Sequence, residues 1–462
     1  MTQRANTAER PQPAIPPLLL DLYELTMAQS YYDQGMAAPA TFSVFIRHLP
    51  PGWAYFVAAG LDDVLTYLET LTFREEDLAY LETTGLFTTS FLAHLRGLRF
   101  TGTVRALPEG TVCFPHEPLL EVTAPIIVAQ LVETVVLNQL HLQTLIASKA
   151  ARCVQVAQGR RLVDFGLRRT HGTDAGLKVA RSAYLAGFDA TSNVLAGQRY
   201  GIPIAGTMAH SYVQTFPDEL AAFRAYAQRY PDSSIFLIDT YDTLEGARHA
   251  ATVGRELAAR GHRLRGVRID SGDLIGLSFA VRQILDEAGL TDAAIFASGN
   301  VDEYLIAEAV AQGAPINAFG VGTRLGVSAD APYLDIAYKL VAYDGRPVLK
   351  LSTGKATWPG AKQVWRRHGA SGELEEDLIA LADESGPGEA VPLLVTVMEG
   401  GRRLHAESLA AARERARREL ATLPPECRRL DATPCVPVRF STGLVRLREQ
   451  SLPAGVHAPP EA

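Results

Sequence analysis

Six stretches of this chain place reactive side chains or glycines directly after an apolar run. They are Gly166-Leu167-Arg168-Arg169, the GTMAHS segment at 206–211, Asp239-Thr240-Tyr241-Asp242, Asp270-Ser271-Gly272-Asp273, Ser298-Gly299-Asn300 and the GVGTR segment at 320–324. The two glycine loops, with Gly299, Asn300, Gly322 and Thr323, have the composition of phosphate cradles, because glycine lets backbone N–H groups approach an anion closely. Arg168, Arg169 and Arg268 add guanidinium groups able to clamp phosphate or carboxylate with two hydrogen bonds. Asp270 and Asp273 oppose them and could hold Mg²⁺, usually through water. His210, among small polar residues, could act as a general acid or base, an oriented donor, or a nucleophile toward phosphorus. His171 is a further candidate for anion contact. Together these types suit a phosphorylated, anionic substrate. The competing reading is that they pair with one another as structural ion pairs.

Such side chains need a scaffold that brings them together. The stretch LRGVRIDSGDL, 264–274, reads as a short half-buried strand that breaks at Asp270 and passes into a helix over Leu274–Ala288. The same strand–loop–helix rhythm recurs. Strands are expected at Arg161–Phe165, Ile202–Gly206, Ser234–Ile238, Leu264–Ile269, Ala293–Ala297 and Ile316–Gly320, with a further short one near Phe188–Thr191. Helices at Phe216–Arg229, Thr243–Arg260 and Val301–Gln312 separate most of them. Alternation of this kind implies a parallel sheet, either a barrel or a doubly wound sheet. In an open sheet only the loops at the switch point converge on a ligand, whereas in a barrel every strand end faces one centre. Six loaded loops favour an α/β barrel, irregular because its strands are few.

The flanking parts differ. Residues 1–16 read as a disordered lead, 17–125 as an α+β domain, 126–335 as a linking helix and the catalytic barrel, 336–445 as a C-terminal part packing back on the N-terminal domain, and 446–462 as a disordered tail. Ile126–Gln158 carries an apolar stripe unbroken by Pro or Gly and reads as one long helix, buried between two domains. Asp344-Gly345 signals a hairpin, and the charged run Leu404–Leu420 a helix with a solvated face.

The 462 residues are 47% apolar and 21% charged with a formal net charge of −7, and a pI near 5.9 gives no electrostatic footprint for nucleic acid. The four cysteines, Cys113, Cys153, Cys427 and Cys435, form no CxxC pair, so neither a metal cage nor a disulfide framework is expected, and a reducing compartment is. The polar, Pro-rich start lacks an apolar signal core, and no apolar run reaches membrane-spanning length. A cytoplasmic protein with no membrane partner follows as the expectation. Ser352-Thr353-Gly354-Lys355-Ala356 imitates a Walker loop but lacks its first glycine and the hydroxyl after lysine, and no Rossmann dinucleotide fingerprint is present.

DLYELTMAQSYY, FGLRR, FDATSNVLAG, GTMAHS, GVRIDSGDL and FGVGTR, in that order between about Leu18 and Ser352, resemble nicotinate phosphoribosyltransferase. The resemblance implies a type II phosphoribosyltransferase fold, an irregular α/β barrel beside a domain built from both chain ends. It implies transfer from 5-phosphoribosyl 1-diphosphate (PRPP) to nicotinate, coupled to hydrolysis of ATP as co-substrate, in a homodimer with shared sites. On this chain, Tyr23 would stack on the pyridine ring, reaching a neighbouring subunit's site. Thr207 and Arg268 would hold nicotinate, Thr323 with Gly322 the phosphoribosyl phosphate, and His210 would be the phosphorylated histidine. Roles for Arg169 in substrate binding, for Asp270 in catalysis and for Asp270 and Asp273 as Mg²⁺ ligands extend from their chemistry. GTMAHS, with no acid beside Thr207, suits a carboxylate better than a carboxamide, and quinolinate would want a denser basic pocket. A phosphate-binding barrel without transferase activity is the alternative of a different class.

Overall fold

The structure is a computed structural model that describes residues 15–352 and 355–452. Residues 1–14 of the expected lead, Thr353 and Gly354 of the Walker-like stretch, and the end of the expected tail lie outside the described residues. The chain divides into two compact units. One contains Lys149–Pro332; the other contains the segments up to Ser148 and from Tyr333 onward.

The first unit is built on six parallel strands in the order Ala190–Thr191, Arg161–Asp164, Ala318–Val321, Ala294–Ser298, Gly266–Ile269, Ile235–Leu237. Strand periodicity of two divides their side chains. Val267, Ile269, Ile295, Ala297, Phe319 and Val321 are wholly buried on one face. Val163, Phe165, Phe296 and Ala318 cluster on the other. The helices Thr243–Ala259, Leu274–Glu287 and Glu303–Ala311 start on side-chain caps from Asp242, Asp273 and Asp302, as acids at helix N-termini do.

The expected strand at Ile202–Gly206 is reduced to one parallel bridge, Thr191 to Ile204. Thr191 donates to the Pro203 carbonyl and accepts from Ala205 at 3.0 Å each. Pro203 has no N–H to extend the ladder. The sheet therefore stays open between this segment and Ile235–Leu237, an irregular, barrel-like arrangement.

The second unit draws on both chain ends. Pro39–Ile46 pairs antiparallel with Ile336–Tyr343 on one side and Pro118–Pro125 on the other, within a seven-stranded sheet. The Asp344-Gly345 hairpin forms as expected, Tyr343 opposite Arg346, with positive φ at both turn residues (51° and 71°). Short helices at Glu75–Thr83 and Thr89–Gly97 were not expected.

Three further expectations are corrected. The helix over Ile126–Gln158 is two, Ile126–Leu131 and Glu133–Ala157. It restarts because the Glu24 carboxylate, from 110 residues upstream, accepts the Thr134 N–H at 3.1 Å and so serves as a remote cap. Cys427 and Cys435 are joined by a disulfide with Cα atoms 5.8 Å apart, which the loop between Pro425 and Pro434 permits by folding back. Residues 446–450, read as tail, finish the helix Thr442–Gln450, started by the Ser441 hydroxyl accepting from Leu444 N at 3.0 Å.

Candidate active site

At the C-terminal end of Gly266–Ile269, Arg268 is fixed on every side. Its Nε donates to Ser298 Oγ at 2.8 Å, Nη1 to Thr207 Oγ1 at 2.7 Å, and Nη2 to Asp270 Oδ1 at 3.0 Å. Its guanidinium carbon sits 5.5 Å from the Phe165 ring centroid, a cation–π distance. With the side chain only 12% exposed, this is a rigid, largely desolvated cation beside an aromatic face.

Asp270 completes the pair. Burial pushes its carboxyl up, but the Ser298 hydroxyl and the Arg268 guanidinium outweigh that and hold it below the usual carboxylate range, with a smaller contribution from His210. His210 opens the short helix His210–Gln214. Its Nδ1 lies 3.2 Å from Thr240 Oγ1 and its Nε2 3.8 Å from Asp270 Oδ2. One ring nitrogen is thus tied to a hydroxyl while the other faces the carboxylate.

Asp239, two residues beyond the neighbouring strand Ile235–Leu237, shapes the Asp270 turn. Its Oδ2 accepts from Asp270 N at 3.1 Å and Ser271 Oγ at 2.5 Å, while its Oδ1 is buried without a hydrogen-bond partner. Gly299 lies against the same turn at φ 91°, where an added Cβ would stand 1.9 Å from the Asp270 carbonyl oxygen. Asn300 follows with φ 53°.

Thr207, His210, Arg268 and Asp270 are therefore brought into contact, with Gly299 against the Asp270 backbone. Gly322 and Thr323 follow the strand Ala318–Val321, and exposed Arg169 lies in the turn after Arg161–Asp164, at the same end of the sheet. Asp273 does not join Asp270: exposed, it accepts from Gly276 N at 3.1 Å and caps its helix. The carboxylate beside Asp270 is Asp239 instead. Tyr23, on the helix Leu22–Asp33, belongs to the other unit. Burial, then Glu133 and Glu24, raise its hydroxyl pKa.

Asp239, Thr240 and Ser298 stand in loops that the sequence marks as loaded but to which it assigns no individual role, and Phe165 was expected only as the end of a strand. One signal was available, since Ile238-Asp239 repeats the strand-then-acid pattern of Ile269-Asp270. As to a metal, Asp270 and Asp239 offer hard carboxylate oxygens, one buried and unpaired, of the kind Mg²⁺ takes. Among the described residues no cluster of three or more His, Cys, Asp or Glu forms a cage.

Parallel strands whose C-terminal ends gather an ion-paired arginine, a histidine, two acids and glycine turns define an α/β enzyme site for an anionic substrate. The family model described as Nicotinate phosphoribosyltransferase (NAPRTase) family matches residues 160–359. Those for the N-terminal and C-terminal domains match 18–141 and 387–448. The chain is 54% identical to nicotinate phosphoribosyltransferase pncB2 of Mycobacterium tuberculosis over 90% of its own length and 89% of that protein. It is 45% identical to nicotinate phosphoribosyltransferase of Bacillus subtilis over 79% and 76%. The crystal structure of human nicotinic acid phosphoribosyltransferase superposes with a TM-score of 0.83 at 33% identity, covering 94% of this chain and all of that one. This chain belongs to the nicotinate phosphoribosyltransferase family.

Proposed function

We infer that this protein transfers the phosphoribosyl group of PRPP to nicotinate, giving nicotinate mononucleotide and diphosphate, the first step of NAD salvage from nicotinate. In that reaction the C1–O bond to diphosphate breaks, its electron pair leaving with the diphosphate. The lone pair of the ring nitrogen forms the new C1–N bond. The observation that carries the reading, beside the family, is Arg268: a cation 12% exposed and stacked near Phe165 suits an aromatic ring bearing one carboxylate. Nicotinamide would offer that guanidinium only a neutral acceptor beside Asp270, and quinolinate would ask for a second cation.

In this reading Arg268 and Thr207 hold nicotinate. Gly322, Thr323, Gly299, Asn300 and Arg169 receive the phosphoribosyl and diphosphate groups, where positioned donors lower the barrier by meeting charge as it develops. Asp270 fixes Arg268 and faces His210. Mg²⁺ bound near Asp270 and Asp239 would supply charge neutralisation for the diphosphate. His210 is the residue to be phosphorylated by ATP, and Tyr23 of a second copy stacks on the ring, which makes the working unit a homodimer with shared sites.

The compartment we assign is the cytoplasm. Among the described residues no helix is long and apolar enough to cross a membrane. The Cys427–Cys435 disulfide argues the other way, and fractionation of cells producing the protein decides it.

The testing experiment offers nicotinate, nicotinamide and quinolinate separately with PRPP and Mg²⁺, with and without ATP, and identifies products by chromatography. Nicotinate mononucleotide should form, faster with ATP. A preference for nicotinamide or quinolinate, or PRPP binding with no turnover of any of them, would overturn the reading.

A further inference from the structure

We propose that the interior of the barrel-like sheet accepts an apolar substituent on the pyridine ring. Ring-substituted nicotinates would then be substrates, with nicotinate the smallest of the class; this rests on the function inferred above. The interior of a parallel barrel is ordinarily filled by layers of bulky branched side chains. Here the interior positions below Phe165 are Gly266, Ala294 and Ala318, with Gly266 opposite Ala294 and Ala318 opposite Phe296 in register. Gly266 has a backbone reason to be small, since a Cβ there would stand 2.3 Å from the Ala294 carbonyl oxygen. Small residues on three adjacent strands leave a cavity of about 690 Å³.

That cavity begins at Phe165 and Thr207, which both touch Arg268, and ends among Arg161, Ser233 and Arg265 at the opposite, N-terminal ends of the strands. The open seam of the sheet forms one wall, with Ala205 and Gly206 on one side and Ile235 on the other. Ligand pockets of roughly 300–1,000 Å³ hold molecules much larger than one ring, so a bound pyridine carboxylate leaves most of this space open. Val163, Ile235, Leu264 and the two alanines make its middle apolar, while charged residues stand only at the far end. A ring seated with its carboxylate on Arg268 and its nitrogen toward PRPP can carry a group into this space from the carbon meta to both, the 5-position. An alkyl chain there exchanges water for an apolar wall, worth roughly three- to fourfold in affinity per methylene.

The test compares nicotinate with 5-methyl-, 5-propyl- and 5-pentylnicotinate as substrates for the full chain, alongside Ala294→Leu and, on the seam, Ile235→Phe. Expected are turnover of the alkyl acids with kcat/KM equal to or above that of nicotinate, and a loss of about tenfold or more for the propyl and pentyl acids in either variant, since pocket shape discriminates at that level. Nicotinate turnover should stay within about threefold in the same variants. Two variants guard against one failing to fold. If wild type uses nicotinate but neither turns over 5-propylnicotinate nor is inhibited by it, the proposal falls. Equal slowing of every acid by both variants also overturns it. If nicotinate itself is not a substrate, the parent reading fails. Equilibrium binding of 5-propylnicotinate then still decides: weaker binding to Ile235→Phe supports the cavity assignment, and unchanged binding overturns it.

Discussion

Arg268 donates from Nη2 to Oδ1 of Asp270, two residues on, at 3.0 Å, and both touch the Ser298 hydroxyl. Residues two apart on a strand share a face, so one strand end presents a preformed ion pair and the next strand locks it. Arg268 is therefore not a freely swinging cation, and an incoming carboxylate meets a guanidinium already aimed.

Arg268→Ala removes the cation and leaves Asp270 partly buried without its partner. Truncating one member of such a pair costs roughly 2–5 kcal/mol. The expected outcome is a fall of about a hundredfold or more in kcat/KM for nicotinate, with PRPP affinity much less affected, read by steady-state kinetics and by calorimetry with PRPP. Arg268→Lys should not rescue it, because an ammonium cannot reproduce the fork that reaches Ser298, Thr207 and Asp270 together. Equal losses for both substrates would remove Arg268 from the nicotinate pocket.

Gly299 offers a backbone test of the same end of the sheet. At φ 91° with the Asp270 carbonyl oxygen 1.9 Å from where a Cβ would stand, Gly299→Ala must displace the Asp270 turn and so the ion pair. Gly289, at φ 77° with nothing within 4 Å, is the matched control. Its alanine variant bears only the cost of a left-handed backbone, about 1–2 kcal/mol. Thermal melts and kcat/KM should show Gly299→Ala losing both stability and at least about tenfold in activity, as site displacements do, while Gly289→Ala keeps its activity.

Much of this was legible from local pattern. The strands that carry Arg268, Ser298 and Gly320 lie within two residues of where alternation put them, and Asp344-Gly345 makes its hairpin, because turn chemistry and period are local properties. What failed depends on distant partners. Nothing between Ile126 and Gln158 announces the break at Val132, since its cause is the carboxylate of Glu24. Ile202–Gly206 looked like a strand by composition, but Pro203 limits its ladder to a single bridge. Asp273 looked like Asp270's companion in sequence, whereas folding places Asp239 there and uses Asp273 as a cap. Pairing across strands decides which carboxylates meet, and spacing along the chain does not record it.

Glu24 gives a stability prediction with a definite sign. Its Oε1 accepts from Thr134 N and Thr134 Oγ1, its Oε2 is buried without a partner, and burial raises its pKa to about 7, with Glu133 and Asp21 adding to the rise and the Thr134 bonds opposing it. The folded protein thus holds this proton more tightly than the unfolded chain does. Burying the ionised form costs stability that grows as pH rises from about 4.5 to about 7 and stays lost above it. Glu24→Gln removes that cost and should stabilise at pH 8 relative to pH 5, by about 1–3 kcal/mol for a shift of this size. Paired melting curves of wild type and variant at the two pH values check it, and a variant less stable at pH 8 than at pH 5, relative to wild type, would show the sign to be wrong.

The histidine makes the sharpest chemical prediction. With Nδ1 3.2 Å from Thr240 Oγ1, a neutral His210 whose Nδ1 carries the proton can donate it to that hydroxyl, leaving the Nε2 lone pair toward the site. A phosphoryl group from ATP should then attach at Nε2 and not at Nδ1, since a neutral imidazole is nucleophilic only at its unprotonated nitrogen. The phosphate would bring ~−2 charge to a nitrogen 3.8 Å from Asp270 Oδ2, and like charges at that distance repel. Asp270→Asn should therefore lengthen the lifetime of the phosphohistidine, even as it loosens Arg268. Thr240→Val, which keeps the shape but removes the hydroxyl, should lower the rate of phosphorylation and weaken ATP stimulation while leaving slow ATP-independent transfer. Phosphohistidine mapping after brief incubation with ATP, under alkaline conditions that preserve it, reads both effects. Phosphate on Nδ1 or on another residue, or full ATP stimulation in His210→Ala, would refute the coupling role assigned to His210 and leave the transferase reading to stand on Arg268.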